Sequence, residues 1–242
     1  MKITVAQTKP VKGDIQRNIG QHKKLIELAV SNHADIIIFP ELSITGYEPA
    51  LANQLATDKD DNRFDDFQTI SDVERIIIGI GAPLKSNEGI TISLIIFQPD
   101  APRQTYAKQY LHADEYAYFV SGKEQLFLRN KNHKIAPAIC YELSVPEHAE
   151  YANKHKADIY IASVAKTAAG VEKAHMNLSE IAANYSMNVL FANCIGVCDG
   201  VECGGKSAAW NSKGILLGGL DDAAEGILIF DTDTGSLMTE TI

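Results

Sequence analysis

No stretch of this 242-residue chain approaches the roughly 18 consecutive apolar residues that a bilayer-spanning helix needs, so no membrane partner is expected. The opening MKITVAQTKPV lacks the apolar core and small-residue cleavage site of a secretory signal, and a cytoplasmic location is expected. Positive charge is also scarce. The 22 Lys and Arg against 31 Asp and Glu leave a net charge of −9, and the basic residues are scattered instead of forming a stripe. Such a surface repels phosphate backbones, so nucleic acid is not an expected partner. Only four cysteines are present, too few and too unevenly spaced for a disulfide framework, which leaves thiols free for chemistry. Internal repeats, low-complexity segments and Ser/Pro/Gly-rich linkers are missing as well, so residues 1–242 read as a single domain.

What the chain does have is a series of apolar, β-branched runs. They fall at Ile3–Val5, Asp35–Phe39, Arg75–Ile80, Ile90–Phe97, Lys134–Ile139, Asp158–Ala162, Val189–Asn193 and Gly226–Phe230, each bounded by polar or Gly/Pro residues. Helical periodicity covers Ile15 to Asn32, Asp65 to Glu74, Pro146 to Lys156 and Val171 to Ser186. The class is α/β. Three strand-like segments, the last being Gln104–Lys108, follow one another with only turns between them, which favours mixed sheets or a pair of sheets over strict βαβ alternation.

Three strand ends carry reactive side chains. Cys140 follows the run Lys134–Ile139 and precedes Pro146, a helix start, so it sits on a strand-to-helix elbow near backbone N–H groups. Glu41 follows an apolar run stopped by Pro40, and Lys108 ends the segment Gln104–Lys108. In α/β folds the C-terminal ends of strands are where sites gather. Alone, each has a plain structural explanation: a packed cysteine, a surface glutamate, a solvated lysine.

Together, FPELSITGYEP around Glu41, YAKQYLHADEYAYF around Lys108 and APAICYELSVPE around Cys140 resemble the three signature regions of the nitrilase superfamily, the carbon–nitrogen hydrolases. AQTKPVKGDIQRNI near the start and ANCIGVCDGVECGGKSAAWNSKG near the end extend the resemblance over almost the whole chain. It implies a four-layer αββα sandwich of two mixed sheets flanked by helices, whose subunits pair into a homodimer or higher homo-oligomer. It also implies Glu41 as general base, Lys108 as cation and Cys140 as nucleophile, with Glu115 as a second glutamate beside them. The expected reaction is hydrolysis of a small amide, or of an N-carbamoyl compound by the same triad. No cofactor and no metal are expected.

The physical chemistry agrees with that assignment. Attack on an amide carbonyl needs a thiolate, which an adjacent ammonium favours. Glu41 can move the proton, while Lys108 and the Tyr141 N–H hold the oxyanion. Glu115, seven residues after Lys108, would return to the same face if that segment were helical. Tyr47 and Tyr116 are expected to line the pocket, as are Tyr118 and the Tyr141 ring.

Other features read as structural. Cys194, Cys198 and Cys203 lack a Cys-x-x-Cys pair and have no nearby histidine, so they are taken as packing or pocket-wall thiols. Gly204-Gly205-Lys206-Ser207 superficially resembles a phosphate loop, but no nucleotide is expected. His112 is taken as a hydrogen-bonding residue. Arg103 and Arg129 are the charges available to anchor a substrate carboxylate.

Overall fold

The computed structural model describes residues 1–242. In chain order it begins with β1 (Lys2–Gln7), α1 (Ile15–Ser31), β2 (Ile36–Ile38), the short α2 (Ala52–Leu55), α3 (Asp65–Glu74), β3 (Ile77–Ser86), β4 (Gly89–Phe97) and β5 (Gln104–Ala107). Next come β6 (Leu128–Asn130), β7 (His133–Ile139), α4 (Pro146–Lys154), β8 (Ile159–Ser163), α5 (Ala168–Tyr185) and β9 (Asn188–Ala192). The chain finishes with β10 (Ile195–Cys198), β11 (Val201–Gly204), β12 (Ala208–Trp210), β13 (Leu216–Gly219), β14 (Gly226–Asp231) and β15 (Leu237–Thr241).

One sheet has the order β15-β14-β1-β2-β3-β4-β5, the other β13-β12-β9-β8-β7-β6. Both are mixed. The strands β1, β2 and β3 run parallel, as do β7, β8 and β9, and antiparallel strands flank each trio. The strands β10 and β11 form a separate hairpin.

Alternation along each apolar run divides its side chains between two cores, which is why these strands read as continuous hydrophobic segments. In β2, Ile36 and Ile38 point into a core shared with Ile135, Ile139, Ile159, Ile161 and Leu190 of the second sheet. Ile37 and Phe39 point the other way, onto Ile19, Leu25 and Ile26 of α1 and Phe67 of α3. The second sheet does the same with Ala136, Ala138, Tyr160 and Phe191, which meet Ala149 and Ala152 of α4 and Leu178 and Ala182 of α5. Three cores between four layers make the expected αββα sandwich.

Helix α1 also reaches the site. Its N-cap Asp14 accepts from the Arg17 N–H, and Ile19, His22, Leu25, Ile26 and Ala29 form its buried stripe. His22 stacks on Phe39 with ring centroids 4.1 Å apart. Its Nδ1 lies 2.7 Å from the Asn18 carbonyl and must donate, so Nε2 accepts from the Ser43 hydroxyl at 2.9 Å. Ser43 is two residues from Glu41.

Burial pushes the His22 pKa down to about 4, against the opposing pull of the Asn18 carbonyl. The neutral ring is thus the folded form, and its contribution to stability is present above pH 6.5 and lost as pH falls toward 4. A His22→Leu variant should therefore show a flatter fall in thermal midpoint than the parent between pH 7 and pH 4. The difference corresponds to up to about 3 kcal/mol, and equal slopes would refute it.

The segment Arg75–Ile80 extends beyond its expected end. Gly81, Ala82 and Pro83 read as a break, but β3 continues to Ser86 and pairs with β4 through a two-residue turn at Asn87-Glu88. The strands β6, β10 to β13 and β15 were not evident as apolar runs because they are short, glycine-rich or exposed. No helix is long and apolar enough to cross a membrane.

Candidate active site

Glu41, Lys108 and Cys140 each lie just beyond a strand and meet where the two sheets face each other. The Ser163 hydroxyl at the end of β8 donates to the Phe39 carbonyl at 2.7 Å, tying the sheets together at this point. The turn that carries Glu41 presses directly on β3. A Cβ at Gly81 would come within 2.3 Å of the Pro40 oxygen and 2.5 Å of the Leu42 nitrogen, so only glycine permits the approach. Lys108 is held similarly. Gly122 donates to its carbonyl at 2.7 Å, and a Cβ at Gly122 would stand 2.2 Å from the Ala107 oxygen.

The Lys108 side chain is fully buried between two carboxylates. Its Nζ donates to Glu41 Oε1 at 2.8 Å and to Glu115 Oε1 at 2.7 Å. Burial works against the ammonium, but Glu41, Cys140 and Glu115 together outweigh it and hold the pKa above the usual lysine range. Two of its three protons are used by these bonds.

Glu115 is fully engaged by the protein. Its Oε1 also accepts from the Tyr47 hydroxyl at 2.9 Å, and its Oε2 accepts from the His112 N–H at 2.7 Å. The helical argument for its position does not hold. Lys108 directly follows β5, an irregular segment comes next, and Glu115 opens a single 3-10 turn, Glu115–Ala117, so proximity comes from the loop's return. His112 is the hydrogen-bonding residue expected, with its ring paired to Asp114.

Glu41 differs from Glu115 in one respect. Its Oε2 is buried and has no hydrogen-bond partner. Burial, reinforced by Glu115, raises the Glu41 pKa against the pull of Lys108 and of the neighbouring Cys140 thiol.

Cys140 occupies a strained elbow. Its φ of 44° is left-handed, uncommon for a residue with a Cβ, and it opens the 3-10 turn Cys140–Ser144 between β7 and α4. The Tyr141 N–H lies in the first turn of that helix, where donors lack intrahelical acceptors. Burial first, and Glu41 second, push the thiol up to about 11, while Lys166 and Lys108 oppose them. The adjacent ammonium favours the thiolate, as expected, but burial outweighs it, so the thiol form is favoured beside the Glu41 carboxylate.

Glu142 is a further buried carboxylate. Its Oε2 accepts from the Ile139 N–H and the Tyr106 hydroxyl, both at 2.7 Å, and its Oε1 accepts from the Gln109 N–H at 2.6 Å. It therefore fastens the Cys140 elbow to the residue after Lys108. Burial raises it to about 7 against these hydrogen bonds. A sequence signal existed, because a glutamate three residues past a strand-end residue is the capping-box spacing.

Lys166 is the other residue the sequence reading missed. It follows β8 in a loop fixed by Asn193, whose Oδ1 accepts from the Lys166 N–H at 2.8 Å and whose Nδ2 donates to the Lys166 carbonyl at 3.2 Å. Asn193 is supported in turn by Ser207, and Ser207 by Gln7. The ammonium of Lys166 forms no ion pair in the chain. It is nevertheless the strongest cationic influence on Cys140, ahead of Lys108.

The remaining expected residues divide. The Tyr47 hydroxyl joins the cluster, and the Tyr141 ring packs edge-on to His112 at 5.2 Å near the opening. Tyr116 points into solvent at 64% exposure, and Tyr118 is also exposed. Arg103 pairs with Asp65 and covers Phe97 in the outer layer, and Arg129 is exposed on β6, so neither charge reaches Cys140. A polar surface cavity of about 600 Å³ beside Gln109, Tyr110 and His148 is lined by none of Glu41, Lys108, Glu115 or Cys140.

An αββα sandwich with a buried Glu-Lys-Cys cluster at its strand ends has the architecture of the nitrilase superfamily. The carbon–nitrogen hydrolase family profile matches residues 2–239, and the chain belongs to that family of enzymes. The chain is similar to the NitN amidase of Nesterenkonia sp. AN1, with a TM-score of 0.87 at 22% identity, covering 96% of this chain and 92% of that one. Among curated proteins it is 25% identical to glutamine-dependent NAD(+) synthetase of Aquifex aeolicus over 97% of this chain and 43% of that protein. It is also 25% identical to omega-amidase YafV of Yersinia enterocolitica, over 67% of this chain and 63% of that protein. The chain thus spans roughly two fifths to three fifths of the length of these curated relatives.

Proposed function

We propose that this chain hydrolyses small amides through a thioester on Cys140, releasing ammonia and a carboxylic acid. The observation that carries this reading is the unpartnered Oε2 of Glu41 in a fully buried ion-paired cluster that the Cys140 thiol adjoins. An orphaned buried carboxylate oxygen costs stability, about 1–3 kcal/mol, and is tolerable where it has a proton to take.

As Sγ attacks the amide carbon, its proton passes to Glu41, so no resting thiolate is needed. The oxyanion is held by the third Lys108 proton and the Tyr141 N–H. Glu41 then gives the proton to the departing amine, which leaves as ammonia, takes another from the water that opens the thioester, and returns it to the Cys140 sulfur as the C–S bond breaks and the acid is released. Glu115, with every acceptor occupied by the protein, holds Lys108 and Tyr47 in place. In the similar Nesterenkonia amidase, a glutamate-to-leucine mutant carries the acetamide moiety of fluoroacetamide covalently at its active-site cysteine, and a cysteine-to-alanine mutant is in complex with butyramide, which supports a reactive cysteine and an amide ligand. Trapping tests the step directly. Brief incubation with an amide, acid quench and mass spectrometry should find the acyl group on Cys140, and an unmodified Cys140 during turnover would refute it.

Lys166 supports a narrower substrate class, amides whose acyl chain ends in a carboxylate. Its ammonium, without an ion pair in the chain, acts electrostatically on the attacking thiol and would give such a chain a charged anchor. Lys166→Met should lower the preference for carboxylate-bearing over neutral amides, measured as a ratio of kcat/KM values, about 10- to 100-fold, as expected for loss of a charge-assisted hydrogen bond. An unchanged ratio would remove Lys166 from substrate recognition.

A further inference from the structure

Cys194, Cys198 and Cys203 are separated in sequence by spacings that suggest nothing, yet the structure brings all three Sγ atoms within 4.8 Å of one another. Hairpin register explains this. Cys194 and Cys198 are four residues apart along β10 and its lead-in, and so share a face. Cys203 on β11 lies opposite Gly196, midway between them. The opposite face, with Val197 and Glu202, is exposed, while the thiols are 1%, 6% and 4% exposed. Cys194 Sγ is 3.5 Å from Cys198 Sγ, and the group of potential metal ligands consists of these three thiols alone.

From this geometry we infer that the three cysteines form a binding site for one thiophilic divalent cation of the zinc group, separate from the Glu41-Lys108-Cys140 cluster. Sulfurs bonded to a tetrahedral zinc at about 2.3 Å stand about 3.8 Å apart, inside the spread seen here, so capture needs shifts of under about 1 Å. Soft thiolates select such ions over the hard cations that carboxylates bind. Binding is balanced as one M²⁺ plus three thiols giving an M(SR)₃⁻ centre and three released protons, with the fourth tetrahedral position open to water. The hairpin is a two-stranded ribbon outside both main sheets, with its turn at Asp199-Gly200 exposed, which gives the ion a way in. Tyr47 packs on the thiols while its hydroxyl holds Glu115, so the site adjoins the catalytic pocket without using its residues.

The test is titration of the reduced Cys140→Ala protein with Cd²⁺, followed by the ultraviolet thiolate-to-cadmium charge-transfer band and by thermal midpoint. A saturating step at one equivalent, with a rise in midpoint and displacement by Zn²⁺, is expected. The same step should vanish in Cys140→Ala/Cys203→Ser, with Cys140→Ala/Cys198→Ser as the second removal should the first not fold. No step at one equivalent in Cys140→Ala, or an undiminished step in either double variant, would overturn the assignment.

Discussion

Glu41→Gln should leave the fold intact and reduce amide turnover by roughly 10³-fold or more. The substitution is nearly isosteric, and the carboxamide oxygen can still accept from Lys108, so packing at this fully buried position is kept. What it loses is basicity. Cys140 rests as a thiol pushed up to about 11 by burial and by Glu41, so attack depends on a base that removes the proton as the bond forms. General-base catalysis is worth about 10²–10⁴, and Glu41 would act in both the acylation and the hydrolysis of the thioester. Single-turnover kinetics with a neutral amide and with the corresponding thioester would measure the two losses separately. Turnover within tenfold of the parent would mean that the proton goes elsewhere.

Lys108→Met should be the most destabilising change in the site, by about 3–5 kcal/mol, or on the order of 10 °C in thermal midpoint. Removing the ammonium leaves Glu41 and Glu115 buried side by side without the cation that both contact within 2.8 Å. Glu41 must then bind a proton, because the loss of the Lys108 ammonium raises its folded-state pKa further. A raised carboxylate pKa contributes stability that is present at low pH and lost as pH rises through it, so the deficit should shrink on acidification. Glu115→Gln in the same chain should recover part of the loss, because one of the two uncompensated charges disappears. Equal midpoints for Lys108→Met and its parent at neutral pH would mean the triad is not tightly ion-paired. Activity should be lost in both Lys108 variants, since the oxyanion donor is gone.

The strands of the two central parallel trios were readable because burial on both faces makes them continuous β-branched runs, as at Ile36–Ile38 and Ile159–Ser163. The three motif residues were readable because each stands at a strand end in a recognisable run. Other features depend on three-dimensional placement that spacing does not encode. Lys166 is an ordinary lysine after a strand until Asn193 fixes its loop beside Cys140. The cysteine trio has no metal-type spacing until β10 pairs with β11. The rest state of Cys140 could not be read from neighbouring charges in the sequence, because burial is the largest influence and favours the thiol. The resemblance placed Glu115 beside Lys108, where it lies, but a loop makes the return that a helix would have made.

The most direct measurement is ammonia release from a panel of neutral amides, carboxylate-bearing amides and N-carbamoyl compounds, comparing the purified protein with Cys140→Ala. The expected result is release by the parent, fastest from the carboxylate-bearing amides, and none above background from Cys140→Ala. Release that survives in Cys140→Ala would contradict a cysteine mechanism. No release from any compound, with Cys140 unreactive toward iodoacetamide, would mean that the chain keeps the fold and the cluster without the chemistry.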